Sequence, residues 1–350
     1  MKKILVYGSY GYTGGLIVEH AIKERLQLIL AGRDEKLLQA QAEKHNLEYR
    51  AFSLDNTAAL DSALQEVDAV LHCAGPFVLT FRQMAEACIR NKKHYVDISG
   101  EIEGFEALAA MDEDAKRAGI MLLPGGGFDV VPSDCLIAYV AGKLAKATHL
   151  EIYIKSIGSG VSRGTARSGI ENSHRQGRIR RDGKIVSVPN VWDSKRVDFG
   201  RGPTRVISVG WGDVSTAYHS TGIPNVTAYM GFPAVMINMM RMTRYAGFLL
   251  YSRTAKDFIK WLIGKFFAVG PSRKQNENGF SLMIAEVTDG KRTVRAKLRT
   301  PEAYRLTALT SVEIMKRILS SDYKPGFQTP SKVYSADFIL QFAGVVREDI

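Results

Sequence analysis

Three glycines that follow the first apolar run constrain the fold of this chain more than any other feature. Ile4 to Tyr7 is a short run with β-branched residues, which is typical of a buried parallel strand. Gly8, Gly11 and Gly14 follow in the spacing G-x-x-G-x-x-G, and a helical pattern begins at Leu16. A strand, a glycine turn and a helix in this order predict a dinucleotide-binding unit, because glycines permit the tight turn and the close approach of a pyrophosphate.

The residues inside this turn are the predicted contacts of the phosphates. The N-terminus of the following helix offers unpaired N–H donors and the positive end of the helix dipole. A glycine pattern alone also occurs in ordinary turns, so the segments that follow decide between the two interpretations. The predicted cofactor contacts in the turn are Gly8, Tyr10, Gly11, Tyr12, Thr13 and Gly14.

The end of the second apolar run predicts which nicotinamide cofactor is bound. Leu26 to Ala31 is followed by Gly32 and Arg33. NAD-binding units usually have an acidic residue here, which binds the ribose 2′-hydroxyl. The guanidinium of Arg33 can instead bind a 2′-phosphate through paired hydrogen bonds. The sequence therefore favours NADP(H), with NAD(H) as the alternative, and the side chain of Asp34 could cap the next helix.

Alternating strands and helices continue to about residue 134 and predict an α/β fold with a Rossmann-type doubly wound parallel sheet. Further strands are predicted at 49–52 and 120–124, and strands together with their exit loops at 68–77 and 94–101. In such sheets, ligands collect at the carboxyl ends of the strands. We therefore expect Asp55 near the adenine, and Ala74, Gly75 and Pro76 along the cofactor cleft.

The composition narrows the classes of function. A net charge of +11 suits anionic ligands such as a phosphorylated cofactor, but no nucleic-acid-binding motif accompanies it. The three cysteines lie in apolar segments without metal-ligand spacing, which predicts no metal site and a reducing, cytoplasmic location. The longest apolar stretch, 232–251, contains Arg241 and Arg244, which argues against stable membrane insertion.

Beyond residue 134 the pattern changes to strands joined by hairpins and long connections. Asp182-Gly183 and Asp289-Gly290 are hairpin signals, and helices are predicted at 164–176, 233–267 and 301–320. This predicts an inserted α+β domain with a mixed or antiparallel sheet. The expected division is a dinucleotide-binding domain at 1–134, a substrate and dimerisation domain at 135–322, and a C-terminal segment at 323–350 that returns to the first domain.

Five motifs of the first domain occur together in one known family. They are Tyr7-Gly8-Ser9-Tyr10-Gly11-Tyr12-Thr13-Gly14, Ala31-Gly32-Arg33, Cys73-Ala74-Gly75-Pro76-Phe77, Tyr95-Val96-Asp97-Ile98-Ser99-Gly100-Glu101 and Gly127-Phe128-Asp129-Val130-Val131-Pro132-Ser133-Asp134. In these motifs the chain resembles the saccharopine dehydrogenase-like NAD(P)-binding oxidoreductases, in the branch that includes trans-acting enoyl reductases. That family usually has alanine and threonine where this chain has Ser9 and Tyr10. The resemblance implies hydride transfer and a small-molecule substrate.

Candidate catalytic residues follow from where a proton donor would be needed. Hydride transfer is the chemistry of the cofactor, whereas the protein supplies position and a proton. Asp129 and Glu101 qualify because each lies at the exit of a predicted strand, as does Asp97. Each could instead be structural, with Asp97 capping a loop and Asp129 tying a turn. His219 lies in a polar segment bounded by glycines and could donate a proton near neutral pH, or be structural.

Two further clusters leave their role open. Arg175, Arg178, Arg180 and Arg181 could bind an anionic substrate or form a solvated hairpin face. The run of Met236, Met239, Met240 and Met242 predicts core packing, a homodimer contact or a flexible pocket for an oily substrate.

The sequence thus leads to one main hypothesis and two alternatives. The main hypothesis is an NADP(H)-dependent oxidoreductase that acts on an apolar or acyl-bearing substrate. The first alternative is an NADP(H)-binding sensor or scaffold without turnover, since no unambiguous acid/base constellation is present. The second is saccharopine dehydrogenase activity itself, in lysine metabolism.

Overall fold

The computed structural model describes residues 2–166, 177–234, 236–238, 240–241, 257, 261, 265 and 269–350. Most of the helices predicted over 164–176 and 233–267 lies outside these residues, as do Arg175, Arg244, Met239 and Met242. The chain divides into two compact units, which are Met1–Val131 with Tyr304–Val333 and Pro132–Ala303 with Tyr334–Ile350.

The strands and helices are numbered here in chain order. The strands are β1 (Lys3–Tyr7), β2 (Gln27–Gly32), β3 (Glu48–Ala51), β4 (Ala69–His72), β5 (His94–Asp97), β6 (Met121–Leu123), β7 (His149–Ile157), β8 (Gly177–Arg181), β9 (Lys184–Val188), β10 (Ser194–Asp198), β11 (Pro203–Val209), β12 (Asn225–Gly231), β13 (Phe280–Thr288), β14 (Thr293–Pro301), β15 (Gly326–Phe327) and β16 (Val346–Asp349). The described α-helices are α1 (Tyr12–Lys23), α2 (Glu35–His45), α3 (Thr57–Gln65), α4 (Phe81–Arg90), α5 (Ile102–Ala109), α6 (Asp112–Ala118), α7 (Val131–Gly142), α8 (Asp213–Thr221), α9 (Arg273–Asn278), α10 (Ala303–Leu319) and α11 (Pro330–Tyr334).

The first unit is built on a parallel sheet. Among the described residues, seven strands form it in the order β15-β6-β5-β4-β1-β2-β3. β1 pairs with β2 on one side and with β4 on the other, both in parallel. The order of the strands therefore reverses at β1, and such a switch point is where ligands bind in sheets of this kind. The predicted Rossmann-type fold is confirmed.

Helices bury the faces of this parallel sheet. Leu5 and Ile29 are fully buried in one apolar core with residues of α3 and α4. Val312 and Met315 of α10 line a common apolar space with Ile4 of β1 and with residues of α1, β2 and β4. Strands buried in this way need the near-continuous apolar runs that the sequence shows.

The second unit contains a mixed sheet. Nine strands of the described residues form it, with β10-β11-β12-β7-β13-β14-β16 as the main order and β8 and β9 attached at β12. β7 pairs in parallel with β12 and antiparallel with β13. The predicted hairpins are present as β8–β9 and β13–β14. The predicted mixed sheet is confirmed.

Two segments lie in units that differ from the expected division. Tyr304–Leu319, nearly all of α10, was expected in the second domain, yet it lies in the first unit because its buried residues pack on the parallel sheet. Residues 334–350 were expected to return to the first domain, yet they lie in the second unit, where β16 pairs with β14. In addition, α7 begins at Val131, and Asp134 lies in its first turn.

Candidate functional site

The glycine turn joins β1 to α1 through close backbone contacts. Gly8 has a φ of +85° and its N–H donates to the carbonyl of Ala31 at 2.7 Å. A Cβ atom on Gly8 would lie 2.9 Å from the backbone nitrogen of Ala74. A Cβ atom on Gly14 would lie only 2.3 Å from the carbonyl oxygen of Gly8. Side chains at these two positions would therefore push apart β1, β4 and α1.

The N-terminus of α1 is open. Gly11 is the N-cap residue; it is exposed, and no side chain of a described residue caps the helix. The first turn of α1 also carries no acidic residue. The N–H groups of Tyr12, Thr13 and Gly14 are among the first donors of a helix, which lack carbonyl partners within the helix. This combination fits an anionic bridge such as a pyrophosphate.

Arg33 lies directly after β2 on the same edge of the sheet. Its side chain is exposed, and its guanidinium pairs with no carboxylate of the described part of the chain. Asp34 caps α2, since its Oδ1 accepts from the N–H of Leu37 at 3.1 Å. One oxygen of the Asp34 carboxylate is therefore used by the helix cap, and the guanidinium beside it remains available to a ligand.

The charges of Arg33 and Asp55 both act on Tyr7, the last residue of β1. The hydroxyl of Tyr7 donates to the carbonyl of Phe52 at 3.1 Å. Burial raises the pKa of Tyr7 to about 12, with Arg33 acting against this rise and Asp55 adding to it. Asp55 itself is exposed and accepts a hydrogen bond from the hydroxyl of Ser53. An adenosine bound beside Arg33 would therefore also lie near Asp55.

A hydrogen-bonded chain holds the loop after β4. The hydroxyl of Thr80 donates to the carbonyl of Ala74 at 2.8 Å, and its oxygen lies 2.9 Å from Nε2 of His72. Because that hydroxyl has only one hydrogen, Nε2 of His72 is the donor in the second bond. Burial lowers the pKa of His72 to about 3, so its ring is neutral. The loop with Gly75 and Pro76 is thereby fixed at the carboxyl end of β4.

Glu101 holds the same loop from β5. Its carboxylate accepts from the backbone N–H groups of Phe77 at 3.1 Å and Val78 at 2.5 Å. These groups begin a short 3-10 helix at Phe77–Leu79. A carboxylate is the expected partner for the free N–H groups of a helix start. The contacts favour a positioning role for Glu101, and the predicted proton transfer by Glu101 stays a prediction.

Asp97 joins β5 to the glycine loop after β6. Its carboxylate accepts from the hydroxyl of Tyr95 at 2.6 Å, from the N–H and hydroxyl of Ser99, and from the N–H of Gly125 at 2.8 Å. Burial raises the pKa of Asp97. Four donors leave this carboxylate fully engaged, which favours the structural interpretation of Asp97.

Asp129 is the carboxylate best suited to hold a proton. It lies at the end of the glycine loop and is partly buried. A Cβ atom on Gly100 would lie 2.8 Å from Oδ2 of Asp129, so the carboxylate is next to the exit of β5. Burial and the charge of Glu101 raise the pKa of Asp129 to about 7. A group with such a pKa can give or take a proton near neutral pH.

Two threonines that position this loop were not among the predicted site residues. The hydroxyl of Thr307 accepts from the N–H of Phe128 at 3.0 Å, and the hydroxyl of Thr310 donates to the carbonyl of Gly126 at 2.9 Å. Both threonines are in α10, which is far away in the sequence. Threonines spaced by three residues do mark one side of a helix, but nothing in the sequence indicates which loop that side contacts.

His219 and the basic cluster belong to the second unit. His219 lies in α8, with its ring edge-on to that of Tyr218. Arg180 is buried, stacks on Tyr218 at 4.3 Å and donates to the carbonyl groups of Val214 and Gly183. The predicted solvated face is therefore wrong for Arg180, because its guanidinium bonds to carbonyl groups inside the unit.

The glycine turn at the switch point, the open helix and Arg33 define a class of protein, the Rossmann-type nucleotide-binding proteins. Within that class, residues 4–123 match the family described as "Saccharopine dehydrogenase NADP binding domain". The predicted resemblance to saccharopine dehydrogenase-like oxidoreductases is thereby confirmed.

Two curated relatives match part of this chain. A saccharopine dehydrogenase-like oxidoreductase of Homo sapiens is 28% identical over 213 residues, which cover 54% of this chain and 49% of the relative. A trans-acting enoyl reductase of Mycobacterium leprae (strain TN) is 29% identical over 141 residues, which cover 37% of this chain and 33% of the relative. The chain thus spans about half the length, or less, of these relatives.

A solved structure bears on the fold. Apo saccharopine dehydrogenase (L-Glu forming) from Saccharomyces cerevisiae has a TM-score of 0.65 and is 13% identical, with 100% of both chains covered. This likeness supports the fold. Separately, none of the described helices has the length and apolar character needed to cross a membrane. The homodimer and the cytoplasmic location stay predictions.

Proposed function

We propose that this chain is an NADP(H)-dependent oxidoreductase that transfers a hydride to or from an apolar or acyl-bearing substrate. One observation at this sheet edge carries the proposal: among the described residues, the exposed guanidinium of Arg33 has no carboxylate partner and no side chain caps the N-terminus of α1. The two features provide donors for a pyrophosphate and for one further phosphate. NADP(H) carries both groups.

The residues fit this cofactor as follows. Backbone N–H groups at 12–14 would hold the pyrophosphate, Arg33 the 2′-phosphate, and Asp55 the adenosine side. The loop fixed by Thr80 and Glu101 would line the nicotinamide end. When bound, the nicotinamide supplies or accepts the hydride.

Asp129 is the proposed proton donor and acceptor. The raised pKa supports this role, because a carboxylic acid that keeps its proton near pH 7 can release it to a substrate in the reaction. His219 remains a second candidate, as predicted. The name of the mycobacterial relative, trans-acting enoyl reductase, supports an acyl-bearing substrate.

Binding titrations test the cofactor part. NADPH and NADH are titrated by fluorescence against the wild-type protein, Arg33→Ala and Lys23→Ala. Lys23 is an exposed cation at the other end of α1, so its variant loses the same charge away from the glycine turn. We expect Arg33→Ala to weaken NADPH binding about 10- to 100-fold, as for a charged hydrogen-bonding group, with little effect on NADH. An equal loss for both cofactors would refute the assignment of Arg33.

Turnover separates the enzyme from its alternatives. NADPH oxidation is followed with a panel of enoyl thioesters, and the NADP-dependent breakdown of saccharopine is assayed in parallel. Tight NADPH binding without turnover on any member of the panel would favour the sensor or scaffold. Turnover of saccharopine alone would support the alternative that the protein is a saccharopine dehydrogenase of lysine metabolism.

A further inference from the structure

The side chain of Tyr10 extends from the glycine turn to the end of β2, where it contacts residues 32–34. Its hydroxyl oxygen accepts from the backbone N–H of Arg33 at 3.2 Å and from that of Asp34 at 3.3 Å. Its ring lies against Gly32, where a Cβ atom would come within 2.5 Å of a ring carbon. The phenol is therefore held against the backbone that carries the guanidinium of Arg33.

The hydrogen of this hydroxyl has no partner in the described part of the chain. A phenol can accept hydrogen bonds and has one hydrogen to donate. The N–H groups of Arg33 and Asp34 both approach the acceptor side of the Tyr10 oxygen, so its hydrogen must point away from them. Tyr10 is only partly buried, and none of the described residues accepts a bond from its hydroxyl. The O–H group is thus an available donor beside Arg33.

We propose that the hydroxyl of Tyr10 donates a hydrogen bond to the 2′-phosphate of the cofactor and so determines the preference for NADPH over NADH. This inference rests on the proposed function and deepens it. It gives a role to Tyr10, one of the two residues at which this chain differs from the alanine-threonine pair of the family that it resembles.

The preference for NADPH over NADH follows from the donors and acceptors near the proposed position of the cofactor's 2′ group. Arg33 offers only donors, and Tyr10 has only its donor left. Oδ1 of Asp34, a third polar group near this point, accepts from the N–H of Leu37 in the cap of α2. A fully ionised 2′-phosphate has no hydrogen to donate and only accepts hydrogen bonds. Its negative charge strengthens its bonds to donors. The 2′-hydroxyl of NADH needs an acceptor as well, which Arg33 and Tyr10 do not supply.

The test compares Tyr10→Phe with Tyr323→Phe. The ring of Tyr323 is tilted against that of His94, the first residue of β5, with ring centroids 4.1 Å apart, so its variant removes a phenol hydroxyl at the opposite edge of the same sheet. Dissociation constants for NADPH, NADH and adenosine 2′,5′-bisphosphate are measured by calorimetry, and thermal unfolding is recorded for each variant. We expect Tyr10→Phe to weaken both 2′-phosphorylated ligands about tenfold and NADH by less than about twofold.

A second variant keeps the hydroxyl but moves it. Gly32→Ala places a methyl group where the Tyr10 ring lies, so the ring must shift. The same selective loss is expected, although the phenol is still present. In a double-mutant cycle, the effects of Tyr10→Phe and Arg33→Ala should be non-additive, because both residues bind one phosphate.

The outcomes separate this inference from the proposed function. If the wild-type protein binds neither cofactor, both the proposed function and the role of Tyr10 are refuted. If it prefers NADPH and Tyr10→Phe keeps that preference, or weakens both cofactors equally, only the role of Tyr10 is overturned. Tighter NADPH binding by Tyr10→Phe would also overturn it, since the phenol would then obstruct the phosphate.

Discussion

At the scale of single residues, Asp129 links the proposed chemistry to the stability of the fold. Burial and Glu101 disfavour the carboxylate, and the pKa is raised to about 7. The folded state therefore holds this proton up to about pH 7, whereas an unfolded chain releases it near pH 4. Between these values the folded state binds more protons than the unfolded state, so stability falls as the pH rises through this window.

Asp129→Asn should remove this pH dependence. We expect the free energy of unfolding of the variant, relative to the wild type, to increase by about 2 kcal/mol from pH 4 to pH 8, allowing for solvent screening of a partly exposed group. Urea unfolding at a series of pH values measures the difference. Asp322→Asn, at an exposed aspartate, is the control. A difference that stays constant with pH would show that Asp129 does not hold its proton in the folded state.

The same substitution should affect turnover in a characteristic way. If Asp129 gives its proton to the substrate, the wild-type rate of reduction falls above about pH 7, and the Asn variant loses both the rate and that pH dependence. NADPH binding should be unchanged, since the proposed cofactor contacts do not include Asp129. A loss of binding would instead indicate that Asp129 acts by shaping the glycine loop.

At the scale of elements, the joint between β1 and α1 depends on one of two adjacent glycines. Gly14 and Gly15 are both in the first turns of α1. A Cβ atom on Gly14 would lie 2.3 Å from the carbonyl oxygen of Gly8 and 2.8 Å from that of Ser9. A Cβ atom on Gly15 would have no atom within 4 Å. The two positions have the same helix propensity but opposite surroundings.

Gly14→Ala and Gly15→Ala therefore form a matched pair. We expect Gly14→Ala to destabilise the fold by about 2–3 kcal/mol, because backbone atoms cannot move aside without separating α1 from β1. Gly15→Ala should be neutral or stabilise by about 0.5–1 kcal/mol, through better helix propensity. Chemical denaturation gives both values. Similar effects at the two positions would contradict the close packing of the turn.

At the scale of the whole molecule, local signals were sufficient for most of the first unit. β1, the glycine turn and α1 are adjacent in sequence, and Asp34 caps the helix that starts directly after it. Contacts between distant segments were not predictable. Glu101 caps a helix that begins at Phe77, and Thr307 holds the N–H of Phe128. Neither contact leaves a periodic pattern in the sequence.

The sequence also did not allow us to predict which unit each of the later segments belongs to. The apolar periodicity of α10 predicts a helix with a buried side, but it does not indicate which sheet covers that side. β15 is only two residues long, which is too short for an alternating pattern. β16 alternates little and is mostly exposed, so its pairing with β14 depends on backbone hydrogen bonds. Such pairing is determined by the tertiary structure.

Two core substitutions test this assignment. Met315 of α10 is fully buried and shares a core space with Ile4 and Leu28 of the parallel sheet. Ile339 is fully buried in the second unit, in the segment whose Ser335 carbonyl accepts from the thiol of Cys135 in α7. Met315→Ala and Ile339→Ala should each destabilise the unit concerned by about 2–5 kcal/mol.

Hydrogen exchange followed by mass spectrometry locates each effect. We expect Met315→Ala to speed exchange in β1, β2 and β4, because these strands lose the side chain that covers them. Ile339→Ala should speed exchange in α7 and leave these three strands unchanged. The reverse pattern would restore the boundaries expected from the sequence, with 304–322 in the second domain and 334–350 in the first. Local opening of this kind is what exchange reports when stability is distributed unevenly over a structure.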